Sequence, residues 1–266
     1  MPRITLNGIG HHYRLEGPED APVLTLAHAQ GFTLDSWSVQ IAHFRDRYRV
    51  LAPDLRGHGG TDMAGAPYLI EDIALDIVAL LDALGIERTH YAGASLGGMA
   101  GFALALDHAE RLRSVAFVTT QGVLPQVSID GQRTATAVMR KDGADARVDA
   151  VLERYLRKGY REDDPESYAE LRRQFTTNPV EGYAEAGDAI FAMNFDDRIG
   201  DIHLPTMVIA GSDDIATTPE RMTLYRDGVP GAGMDIIPNT GHMPYVEDAD
   251  AFNKVLAGFL DSLPRT

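Results

Sequence analysis

The chain has 266 residues, of which 44% are hydrophobic and 24% charged, a composition that excludes a disordered or fibrous protein and supports a sizeable core. Its 24 Lys and Arg against 39 Asp and Glu leave a net charge of −15, which argues against a general nucleic-acid-binding face. There is no cysteine, so disulfide frameworks, cysteine-ligated metals and cysteine nucleophiles are excluded.

Residues 1–17 lack the apolar segment of a secretory signal, and no stretch approaches ~18 uninterrupted apolar residues. The expectation is a cytoplasmic protein with no membrane partner. Residues 4–6 and 12–15 predict an opening hairpin, with turn chemistry over 7–10. Buried strands are predicted at 23–27 and 49–52, with a short helix at 36–44 between them. Over 70–84 the apolar residues 70, 73, 77, 80, 81 and 84 form a helical stripe that Gly85 ends. A strand at 89–92 leads at once into a glycine-rich turn and a helix to about 106, followed by a strand at 114–119. Further strands are predicted at 206–210 and 233–237, a helix beginning near Pro219, and a final helix over 249–262.

Strand alternating with helix argues for a mainly parallel sheet covered on both faces. Residues 121–198 break that rhythm and predict helices alone, with breaks at Gly143, Gly159, Pro165, Pro179 and Gly187. A helical block between two sheet strands is most simply a lid over the sheet's C-terminal edge. The expected division is therefore a core of residues 1–120 and 199–266 with a helical cap of 121–198. The cap carries 11 of the 24 basic residues, and its acidic residues outnumber them.

The sharpest chemical signal is Gly93-Ala94-Ser95-Leu96-Gly97, a G-x-S-x-G between strand and helix. A serine on so tight a turn crowds the positions two residues away on either side, which is why both are glycine. Its hydroxyl is presented at a helix N-terminus, where the Leu96 N–H becomes one donor to an oxyanion. Serine needs a base oriented by a third group, and in this arrangement the chain order is serine, acid, histidine. The strand at 206–210 leads to Asp213 and Asp214, two carboxylates competing for one role. The last strand leads to His242, the one histidine that follows the acid just past the final strand. His28-Ala29-Gln30-Gly31 follows the first buried strand, where the Gln30 N–H is placed as the second oxyanion donor and His28 pins the loop.

These residues together resemble the α/β-hydrolase superfamily over nearly the whole chain. Pro53-Asp54-Leu55-Arg56-Gly57-His58-Gly59 matches that superfamily's loop after the second parallel strand, a mostly structural element in which His58 has no catalytic role. Residues 76–88, Gly97-Gly98-Met99, Gly182-Tyr183 and 205–219 are similar to the 3-oxoadipate enol-lactone hydrolases. The resemblance implies an α/β-hydrolase fold, with a mostly parallel eight-stranded sheet, helices on both faces and an inserted helical lid. It assigns the acid to Asp214, giving a triad of Ser95, Asp214 and His242 with Leu96 and Gln30 amides as oxyanion hole.

The implied activity is hydrolysis of a small carboxylester or (enol-)lactone through an acyl-enzyme, with no metal or organic cofactor, in a monomer or homodimer. The alternatives are C–C bond hydrolysis of a β-diketone-like ring-cleavage product, non-hydrolytic cofactor-free chemistry, and ligand reception on the same scaffold. Three departures stand out: Ala94 and Leu96 flank the serine, the oxyanion loop reads HAQG, and residues 121–165 match poorly. The lid arginines Arg133, Arg140, Arg154 and Arg157 are expected mainly to pair with the lid's own carboxylates, a clamp on a substrate carboxylate being the alternative.

Overall fold

Asn7 and Gly8 both take positive φ, 53° and 79°, the backbone of a two-residue hairpin turn. It joins Arg3–Leu6 (β1) to Ile9–Glu16 (β2), which pair antiparallel from Leu6↔Ile9 to Arg3↔His12. The turn is two residues rather than four, because Asn-Gly alone reverses the chain and frees Ile9 and Gly10 to pair. The computed structural model describes residues 2–65 and 67–264.

From β2 the sheet continues as parallel strands: Val23–Ala27 (β3), Arg49–Pro53 (β4), Thr89–Ala94 (β5), Leu112–Val118 (β6), Thr206–Gly211 (β7) and Gly233–Ile237 (β8). The order across the eight-stranded sheet is β1-β2-β4-β3-β5-β6-β7-β8, with only the β1–β2 and β2–β4 pairs antiparallel. β3 and β7 are buried along their whole length, as strands covered on both faces must be.

Helices Ser38–Phe44 (α1), Ile70–Ala83 (α2) and Leu96–Asp107 (α3) are interleaved with the first strands. Between β6 and β7 come Gln126–Asp142 (α4), Val148–Tyr155 (α5), Tyr160–Asp163 (α6), Pro165–Thr177 (α7) and Val180–Ala192 (α8). Pro219–Gly228 (α9), Pro244–Glu247 (α10) and Ala249–Ser262 (α11) complete the chain. The stripe predicted for α2 buries Ile70, Ile73, Ile77 and Leu80 against one sheet face beside Phe102 of α3 and Tyr225 of α9. The other face packs Ile41 and Phe44 of α1 with Phe252, Leu256 and Leu260 of α11. Each such side chain contributes about 1.5–3 kcal/mol by leaving water.

The expected helix breaks hold at Gly143 and Gly159, where φ is 85° and 83°. They hold also at Pro165 and Pro179, which stand at the gaps between α6 and α7 and between α7 and α8, as the first residue of α7 and the cap of α8. Gly187 breaks nothing. It lies inside α8, where a Cβ would meet the amide nitrogens of Gln30 and Gln132 at 3.4 Å, so it serves a close approach rather than a turn. Gly182, also in α8, rests on the β4–α2 loop so tightly that a Cβ would lie 2.0 Å from Gly57 O. Among the described residues no helix is long and apolar enough to cross a membrane.

Candidate active site

At the C-terminal end of β5 the chain turns into α3 within one residue. Ser95 takes φ 48° and ψ −111°, a conformation β-carbon residues rarely adopt. The flanking glycines permit it. A Cβ on Gly93 would lie 2.3 Å from Gly97 O, and one on Gly97 would lie 2.3 Å from Ala27 O. Ser95 N–H donates to Val118 O at 3.0 Å and Thr120 Oγ1 donates to Ser95 O at 2.8 Å, so the strained residue is held from the neighbouring strand.

The loop after β7 carries Asp214 and the loop after β8 carries His242, and the two meet. Nδ1 of His242 is 2.7 Å from Oδ2 of Asp214, both residues being 3% exposed. Oδ1 of Asp214 accepts the amides of Ala216 at 2.7 Å and Thr217 at 3.0 Å, which fixes the plane of the carboxylate. Asp213 is exposed and accepts from Ser212 Oγ at 2.7 Å. Asp213 N–H donates to Thr240 O, and of the two adjacent carboxylates Asp214 is the one bonded to His242. The Tyr155 ring of α5 lies over the imidazole, with centroids 4.7 Å apart, and burial raises the Tyr155 phenol above its usual range.

The loop after β3 is built on two buried histidines. Leu55 N–H donates to Nε2 of His28, so Nδ1 carries the proton and donates to Ala29 O at 2.8 Å. Likewise Gly31 N–H donates to Nε2 of His58 at 3.0 Å, and His58 Nδ1 donates to Arg56 O at 3.0 Å. Both rings are neutral. Burial lowers the pKa of each, that of His58 to about 3 with His28 adding to the effect. They hold the loop and take no part in proton transfer. The amides of Ser95, Gly97 and Gly31 are engaged, whereas those of Gln30 and Leu96 have no partner among the described residues. The Gln30 side chain leaves its backbone free by reaching away, donating to Tyr183 O at 2.8 Å and accepting from Gln132 Nε2 at 2.7 Å.

Gln30, Ser95 and His242 open on one cavity of about 260 Å³, roofed by residues of α4, α5 and α8. Arg147 and Arg154 line it as well, and among the described residues neither has an ion-pair partner. The Nε of Arg147 is buried without a hydrogen bond. The other arginines singled out in the sequence are committed elsewhere: Arg140 to Glu181, Arg157 to Asp163, and Arg133 over the Phe191 ring. Arg147 is not distinguished by the sequence, since nothing in its neighbours separates it from ten other basic residues of the same block.

The family model for the alpha/beta hydrolase fold matches residues 22–249. The chain belongs to this family. Among solved α/β hydrolases, the enol-lactonase of Burkholderia xenovorans LB400 is 33% identical and superposes with a TM-score of 0.94, over 98% of this chain and 100% of that one. A 3-oxoadipate enol-lactonase of Acinetobacter baylyi is 28% identical over 250 residues, 94% of this chain and 92% of its own length. A Variovorax paradoxus protein named for carbamate hydrolysis is 31% identical over 253 residues, 94% of this chain and 95% of its own. The family resemblance carried by residues 53–59, the turn at Ser95 and residues 205–219 is thus borne out.

Proposed function

We propose that this α/β hydrolase cleaves small carboxylic esters and lactones through an acyl-enzyme, with Ser95, His242 and Asp214 as its triad. The observation that carries the reading is the 2.7 Å bond between His242 Nδ1 and an Asp214 carboxylate already fixed by two amides, opening on the cavity that holds Ser95. With Nδ1–H donated to Asp214, the Nε2 lone pair is free to act as base. Ser95 Oγ attacks the carbonyl carbon and passes its proton to Nε2. The carbonyl oxygen becomes an oxyanion received by the Gln30 and Leu96 amides, each such donor being worth about 10²–10³ in rate. The C–O bond breaks as the imidazolium returns the proton to the leaving oxygen. Water then repeats both steps on the acyl-enzyme and frees the acid.

Residues 121–198 serve as the lid of this site, and residues 1–120 with 199–266 as its core. The unpaired guanidiniums of Arg147 and Arg154 favour a substrate bearing a carboxylate. In a chain of net charge −15 whose other lid arginines are largely spoken for, two cations without an ion-pair partner lining the cavity that holds Ser95 are best matched by an anionic ligand. That preference agrees with the enol-lactonase relatives.

Intact mass after treatment with a small fluorophosphonate tests the reading. One adduct on Ser95, lost in His242→Ala, is expected, together with turnover of p-nitrophenyl acetate and a small lactone. A folded protein that takes no adduct overturns it. Faster turnover of a vinylogous diketone or a carbamate than of any ester selects the corresponding alternative chemistry.

A further inference from the structure

The turn that carries His242 is fastened from beneath by a residue outside the triad. Glu247, on the short α10, folds its carboxylate back under that turn. Its Oε1 accepts the amides of Gly241 at 2.9 Å and Met243 at 3.3 Å, one on each side of His242. Its Oε2 accepts the amide of Arg157 at 2.7 Å, from the segment joining α5 to α6. Two residues earlier in that segment, Tyr155 O accepts the His242 N–H at 2.5 Å. Gly241 sits so close that a Cβ there would also lie 2.5 Å from Tyr155 O. The backbone around the base is therefore bonded to residues 155–157 directly, and again through Glu247.

We propose that Glu247 is a positioning residue for His242, whose one carboxylate joins the catalytic turn to the lid, so that seating residues 155–157 and aiming the imidazole are a single adjustment. The inference rests on the reading of His242 as the base. Only an ionised carboxylate suits the place. It offers acceptors on both oxygens to three N–H groups, whereas a glutamine has one acceptor oxygen and would turn an NH₂ toward a donor. Bonds to a charged acceptor are also the stronger ones.

Burial works against that charge and outweighs the three amides, pushing the Glu247 carboxyl up to about 7. The titratable groups facing it are the Arg157 guanidinium, the phenol of Tyr160 on α6 and that of Tyr245 on its own helix, and His242 lies between the two amides it holds. Of these, Arg157 alone is a permanent cation. Near neutrality Glu247 takes up a proton, one oxygen becomes a donor, and part of the clamp is lost. Protonation of Glu247 then lowers activity as the pH falls through neutrality.

The experiment compares kcat and KM for a small ester between pH 5.5 and 9 in the wild type and Glu247→Gln. In the wild type kcat is expected to step down about tenfold as the pH falls through the Glu247 value of about 7. In Glu247→Gln that step near pH 7 disappears, and kcat at pH 8 drops about tenfold or more with KM within about twofold, the signature of a misaimed base. A purely structural glutamate would lower the melting temperature and leave the shape of the profile unchanged, which overturns the proposal, as does a variant indistinguishable from wild type. If the variant fails to fold, the wild-type limb still decides, measured as the rate of Ser95 phosphonylation against pH. A profile with no step near pH 7 there refutes the proposal. An active His242→Ala would sink the base itself; an inactive one beside a wild-type-like Glu247→Gln sinks only the role of Glu247.

Discussion

Replacing Asp214 with asparagine turns on the geometry of its two oxygens. Oδ1 is held by the Ala216 and Thr217 amides at 2.7 and 3.0 Å, and Oδ2 by His242 Nδ1 at 2.7 Å. Asparagine has one acceptor oxygen, and the two fixed backbone donors claim it. The reverse placement sets donors against donors and strands two buried N–H groups, at about 1–3 kcal/mol each. The NH₂ therefore faces Nδ1, which must become an acceptor, and the ring proton moves to Nε2. That is the nitrogen from which the base must take a proton. The expected loss in kcat is about 10⁴-fold, equivalent to about 5.5 kcal/mol of barrier. Asp213→Asn touches only a surface bond from the Ser212 hydroxyl, which the asparagine Oδ1 can still accept, and is expected to stay within about twofold of wild type. Steady-state hydrolysis of p-nitrophenyl acetate and of a lactone, with melting temperatures as a folding control, reads both variants. Asp214→Asn retaining a tenth of wild-type kcat, or Asp213→Asn losing as much as it does, would refute the assignment of the acid.

Arg147→Ala and Arg154→Ala are expected to raise KM for a carboxylate-bearing ester about tenfold or more while leaving a neutral ester of the same size within about twofold. Equal effects on both substrates would mean the guanidiniums shape the cavity rather than bind charge. Stability should also fall on acidification. His11, His28, His58 and His90 are all held below 6.5 chiefly by burial, so the folded state excludes protons that the unfolded chain accepts. Their stabilisation is complete above about pH 6.5 and drains away as the pH drops toward their folded values. Glu247, with its pKa raised, acts in the opposite sense between 4.5 and about 7, but it is one group against four. Melting temperatures measured from pH 8 to pH 5 should decline below 6.5; a flat profile would contradict the neutral, buried state of these rings.

The elements that create the scaffold are encoded within a few residues of themselves, and the sequence by itself determined them. The stripe of α2, the Asn7-Gly8 reversal and the serine between Gly93 and Gly97 each follow from periodicity or from a backbone angle that few residue types tolerate. Chain order then brought the ends of β5, β7 and β8 to one edge, because strands that run parallel all finish on the same side. The residues alone left Asp213 and Asp214 equivalent; the family resemblance pointed to Asp214, and the loop's hydrogen bonds to Thr240, Ala216 and Thr217 are the physical difference between them. Gln30 reaches Tyr183 across 153 positions and Gln132 across 102, and Glu247 reaches Arg157 across 90. Gly187, read as a break, is a helix interior made tight by those same glutamines. Arg147 is one basic residue among eleven until packing places it on the cavity that holds Ser95, with no ion-pair partner among the described residues. Such partners are chosen by where α4, α5 and α8 settle on the sheet. That packing is a sum over many weak apolar contacts, in which no short stretch of sequence carries a separate signal.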